Sequence, residues 1–157
     1  MPRERVVYAL LAAGGVGTFL GHGVWAILGQ HSFVELITGS FDHLLGVTVR
    51  ERTATTWLDA IGALDLAVAA LMLLMLIGAI LGTGPLYRFA HGRTALVVWT
   101  WAALWGLVTA VSRVTAAGEV IPELWDVVER APNVMLPAAV AYLVHHHRRA
   151  GTATKGR

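Results

Sequence analysis

The stretch WLDAIGALDLAVAALMLLMLIGAIL, residues 57–81, decides the class of fold. Beyond Asp65 it carries no charge, and its apolar residues fall on every side of a helix rather than on one stripe. A soluble helix needs only one apolar face, whereas crossing a bilayer takes roughly 20 mostly apolar residues in a row. Residues 57–81 therefore read as a membrane span.

Working outward, three more stretches have the same character: about 6–28, 94–115 and 122–144. The last is interrupted by Glu129, Arg130, Pro132 and Pro137. The 157 residues are 56% hydrophobic and 14% charged, with a mean hydropathy of +0.63; a soluble domain carries about 25% charged residues. The expectation is an all-α fold, a four-transmembrane-helix bundle with a short amphipathic interfacial segment between helices 1 and 2. It forms a single membrane domain over residues 1–150, followed by a disordered basic cytoplasmic tail at 151–157. The lipid bilayer is its first partner.

MPRER followed by an apolar run resembles a secretion signal, but the run outlasts the 7–15 residues of a signal core and reads as an uncleaved first span. The absence of cysteine removes disulfides, thiolate metal sites and iron–sulfur clusters from this chain. A sequence pI near 9.5 would suggest nucleic acid in a soluble protein. Here the basic residues cluster at span ends, so no nucleic-acid partner is expected. Arg3, Arg5, Arg88, Arg93 and the tail's Arg148, Arg149, Lys155 and Arg157 lie on one side, against Arg50, Arg52, Arg113 and Arg130 on the other. Positive charge marks cytoplasmic loops, which puts both termini in the cytoplasm of an inner (plasma) membrane protein.

The connection at 30–56 is too long for a passive hairpin loop. HSFVELITGS (31–40) offers a capping box, Ser32 with Glu35, and a stop at Gly39. With Phe33, Val34 and Ile37 on one side, it reads as an interfacial helix that could act as a lid, or else as an ordinary surface connector. Thr56 is the expected cap of the second span, with Asp59 in its first turn. GTGPLYRFAHGR (82–93) reads as a short turn, and the fourth span is expected to open at Pro122 and bend at Pro132. Gly17 and Gly21 form a small-xxx-small pair that lets another helix approach closely, either within the bundle or in a membrane protein partner or homo-oligomer.

FLGHGVWAI (19–27) places His22 inside the first span. At a rise of about 1.5 Å per residue, His22 lies roughly 9 Å, Asp65 roughly 12 Å and Glu129 roughly 10 Å below the outer ends of their spans. Arg130 adjoins Glu129, Arg113 lies shallower on the third span, and Trp105 is too deep for a headgroup anchor. Charged groups at such depth face the bundle interior and pair. His22, Asp65, Trp105, Arg113, Glu129 and Arg130 are thus the candidate ligand-binding layer. Three readings remain: a structural ion-pair network, a small-molecule site, or an interface with another subunit. No metal site is expected, because these residues lack diagnostic metal-ligand spacing, and HHHRR (145–149) reads as a basic end.

FLGHGVWAI, IGALDLAVAALML (61–73) and ERAPNVMLPAAVAYL (129–143), together with the four-span plan, resemble the DoxX-like small membrane proteins. Some members of that family are linked to quinone-coupled sulfur oxidation or membrane-bound redox complexes. The resemblance implies an accessory redox or quinone-associated subunit, with quinone as the cofactor. A non-catalytic assembly subunit, a b-type haem protein and a small transporter stand as alternatives. Haem is the weaker cofactor, because only His22 lies well within a span. Whether the chain catalyses a reaction is left open.

Overall fold

A computed structural model of the chain describes residues 3–118, 125 and 127–153. Its elements are α1 (Arg3–Ile27), α2 (His31–Leu45), α3 (Glu51–Leu81), α4 (Gly84–Ala90), α5 (Arg93–Ala117) and α6 (Ala131–Ala153). Among the described residues no strand occurs. Four helical stretches are long and apolar enough to cross a membrane: Arg3–Ile27, Glu51–Leu81, Arg93–Ala117 and Val127–Arg149.

The helices pair as α1 with α3 and α5 with α6, and α1 also touches α6. Their shared core centres on Trp99, Met72, Met75, Val140 and Val144, all fully buried. Large apolar side chains such as Leu10, Leu28, Leu81 and Val97 point outward instead. In water such a surface would drive aggregation; in lipid it is the surface a span requires.

Close helix approach comes from glycines, though not from the pair expected. A Cβ on Gly23 would lie 2.9 Å from the Gly62 carbonyl oxygen, and one on Gly62 would lie 2.8 Å from that of Gly23. These two bare positions therefore set the α1–α3 contact. Gly15 accommodates the ring of Trp99. Gly17 and Gly21 face open space, because they lie on a different side of α1 from Gly15 and Gly23.

The α5–α6 contact has its own logic. Pro137 lies inside α6 and is buried. It has no N–H to donate to the carbonyl four residues back, that of Asn133. Gly106 of α5 packs against this same carbonyl, where only a residue without a side chain fits.

Several boundaries differ from the sequence expectation. α3 starts at Glu51, so Thr56 is not its cap: the Thr55 and Thr56 hydroxyls donate back to the Glu51 and Arg52 carbonyls, both at 3.0 Å. α2 follows Gln30 with no side-chain cap, and continues through Gly39 to a left-handed Gly46. Gly39 does not stop the helix because it serves a packing role, with the Ala116 carbonyl 2.7 Å from where its Cβ would stand. The expected turn at 82–93 contains helix α4. The expected start of the fourth span at Pro122 lies outside the described residues; from Val127 onward the stretch is long and apolar enough to span. Pro132 sits in the first turn of α6, where a missing N–H costs nothing. Residues 151–153 of the expected disordered tail continue α6, and 154–157 lie outside the described residues.

Both termini come to the same end of the bundle. The Tyr8 hydroxyl of α1 donates to the Ala90 carbonyl at the end of α4, at 3.1 Å. Tyr87 of α4 meets His147 of α6, with ring centroids 6.2 Å apart. α2 lies at the opposite end.

Candidate functional site

α2 earns its position through its apolar face. Val34 is buried, and together with Phe33 and Ile37 it packs against Ala26, Ala54 and Leu58 of α1 and α3. Phe41 adds a ring contact to Trp57, with centroids 5.3 Å apart. On its other flank, the Ser40 hydroxyl lies 2.8 Å from that of Thr115 and 3.3 Å from the Ser112 carbonyl of α5. α2 therefore bridges α1, α3 and α5 like a plate laid across the bundle end.

Beneath it lies a cavity of about 290 Å³. This is near the lower end of the roughly 300–1,000 Å³ range of small-molecule sites, which suits a single ring system. The wall is predominantly apolar, with Phe33, Ile37, Phe41 and Trp57 among its lining.

Five of the six candidate residues line this cavity: His22, Asp65, Trp105, Arg113 and Arg130. They come from α1, α3, α5 and the turn before α6. Glu129 is exposed and does not line it. Arg130, the next residue, turns inward instead, and consecutive residues of a helix do not share a face.

Asp65 does not form the pair with Arg113 or Arg130 that the ion-pair reading requires. Asp65 is only 3% exposed, yet among the described residues it makes no ion pair. The group within interaction range of its carboxyl is the Trp105 indole, but the geometry stops short of a formed hydrogen bond. Asp65 Oδ1 and Trp105 Nε1 are both buried without a hydrogen-bond partner. One is an acceptor and the other a donor. Each such group costs on the order of 1–3 kcal/mol while unmet.

His22 makes an edge contact with Phe33 of α2, with centroids 5.8 Å apart. Arg113 and Arg130 lie within electrostatic reach of its ring. Trp105 also stacks on Trp101, with centroids 5.9 Å apart and planes 10° apart. That contact fixes the indole's orientation from the membrane-facing side, since Trp101 is exposed.

Sequence reasoning found the deep polar residues but missed Ser40 and Ser112, which tie α2 to α5. A single serine in an amphipathic helix gives no local sign of its distant partner. Among the described residues no group of three or more His, Cys, Asp or Glu side chains is placed to hold a metal ion. No family model, curated protein or solved structure matches this chain.

Proposed function

We propose that the chain is a membrane-embedded binding subunit for a small, flat, lipid-soluble molecule carrying carbonyl or hydroxyl oxygens. The quinone headgroup is the chemical class that fits best, in an accessory subunit of a redox complex. The observation that carries this reading is the pair of buried, unmet polar groups, Asp65 Oδ1 and Trp105 Nε1, on the wall of one apolar cavity. A quinone carbonyl accepts from the indole N–H, and a quinol hydroxyl donates to the carboxyl. Phe33, Phe41 and Trp57 supply ring faces for the headgroup. His22 offers a second hydrogen-bonding position, and Arg130 favours an electron-rich oxygen.

In this reading the chain's residues bind and orient the ligand; without cysteine, iron–sulfur and thiol centres would have to come from a partner. A bis-histidine haem is less well supported. His22 is the histidine among the lining residues, the His31 side chain is largely exposed, and His43 packs against Gly118. With the basic end as the cytoplasmic end, the cavity faces the outer leaflet of an inner membrane.

A second reading has an observation of its own. Gly17 and Gly21 present bare backbone to open space, which suits a non-catalytic assembly role through a partner helix.

The test is purification in mild detergent, followed by a visible spectrum and mass analysis of the organic extract. A co-purified quinone supports the proposal. A haem band, or a stable partner protein with no extractable ligand, overturns it in favour of the alternatives.

A further inference from the structure

The opposite end of the bundle holds a second cavity, of about 310 Å³, with a different chemistry. It is lined by Arg5 and Tyr8 of α1, Tyr87 of α4, His91 just beyond α4, and His146 and His147 of α6. Glu4 is the acidic residue at its wall. Every span has an end here: Arg5 in the first turn of α1, Ala79 near the end of α3, His91 before α5, and His147 shortly before Arg149. The cavity therefore sits at headgroup level.

The Arg5 guanidinium is held in place without being neutralised. The Arg5 guanidinium lies over the Tyr87 ring, 5.6 Å from the centroid, and against Gly82, where a side chain would collide with it. Among the described residues the Arg5 side chain makes no ion pair or hydrogen bond. Glu4, next to it in the chain, forms no ion pair with it.

His91 is clamped by rings, with centroids 5.2 Å from Tyr8, 4.3 Å from Tyr87 and 4.8 Å from His147. Its Nδ1 lies 3.0 Å from the Tyr87 carbonyl oxygen. A carbonyl only accepts, so Nδ1 carries the proton, and Nε2 of the neutral ring is an acceptor. Burial pushes the His91 imidazole below its ordinary range; the Tyr87 carbonyl works against this, and His147 and Arg5 push with it.

We propose that this cavity binds a phosphate group, with Arg5 as the principal cation beside the Tyr87–His147 pair, whose hydroxyl oxygen and Nε2 lie 3.4 Å apart. The N–H groups of a guanidinium match the oxygens of a phosphate. Two sources present that chemistry at headgroup level: an anionic phospholipid, or a soluble phosphate ester. This site is independent of the cavity under α2.

The test uses the full chain in non-ionic detergent and phosphate-free buffer, with the thermal unfolding midpoint as readout. Phosphatidylglycerol, diacylglycerol of the same chain length, inorganic phosphate and chloride are added separately. Phosphatidylglycerol is expected to raise the midpoint by several degrees over diacylglycerol, and the rise is expected to be mostly lost in Arg5→Gln. His147→Gln, at an exposed position, should weaken it and serves should Arg5→Gln fail to fold. Asp65→Leu should leave it intact, which separates this site from the quinone reading. A rise with phosphatidylglycerol alone assigns a lipid, and an equal rise with inorganic phosphate assigns a soluble ester. Equal midpoints for phosphatidylglycerol and diacylglycerol together with no effect of phosphate, or an undiminished rise in both variants, would overturn the proposal.

Discussion

Asp65 on α3 and Trp105 on α5 bring an acceptor and a donor to the wall of one cavity and leave both unmet. The cost of this arrangement falls on stability, because a buried polar atom without a partner destabilises the fold that holds it. Asp65→Leu should therefore raise the unfolding free energy by about 1–3 kcal/mol while abolishing ligand retention. Denaturant or thermal unfolding in detergent, read beside extraction of the bound compound, checks both halves. A variant that loses stability would indicate that Asp65 holds the fold instead.

The plate formed by α2 depends on Ser40, whose hydroxyl reaches both Thr115 and Ser112. Ser40→Ala should cost about 1 kcal/mol of local stability and speed ligand exchange. Hydrogen exchange across 31–45 is the measurement, with faster exchange expected there and little change in α3. Protection unaltered by the substitution would assign the holding of α2 to its apolar face alone.

Glycine substitutions should sort by position along α1. Gly23→Ala places a Cβ 2.8 Å from Leu66 Cγ and 2.9 Å from the Gly62 carbonyl oxygen, an overpacking expected to cost about 1–3 kcal/mol. Gly17→Ala meets nothing and should be neutral or stabilising by up to about 1 kcal/mol. Unfolding midpoints of the two variants decide this. A large loss in Gly17→Ala, accompanied by a smaller particle in native mass measurement, would instead support a partner on that face.

The pH response should come from the other end of the molecule. His91 is held below its ordinary range mainly by burial, so it binds fewer protons folded than unfolded. Its contribution is fully present above the unfolded imidazole value of about 6.5. It declines as pH falls through that value toward the lowered folded one. The midpoint should fall between neutral and mildly acidic pH, less steeply in His91→Asn. Parallel slopes for the two proteins would remove His91 as the source.

Much of this was legible in the chain. The run at 66–81 has no polar face, so its membrane-spanning character follows from composition alone. His22, Asp65 and Trp105 stood out because polar or amphipathic groups at depth must face inward. Glu129 misled because depth along a span does not give the side of the helix a residue takes, and its neighbour Arg130 is the one that lines the cavity. The glycine contacts were ambiguous for a related reason. Spacing along α1 identifies bare positions, but which of them meets Gly62 depends on how α3 is rotated about its own axis. The second cavity was hidden because Arg5, Tyr87, His91 and His147 are scattered along the chain and meet only when the spans assemble.

The central claim is that the cavity under α2 holds a flat, oxygen-bearing ligand through Asp65 and Trp105. Titration of the purified chain with a short-chain benzoquinone, followed by the thermal midpoint, tests it most directly. The expected result is a saturable rise in the parent protein that disappears in Asp65→Leu and persists in Gly17→Ala. No saturable rise in the parent, or an equal rise in Asp65→Leu, would contradict it.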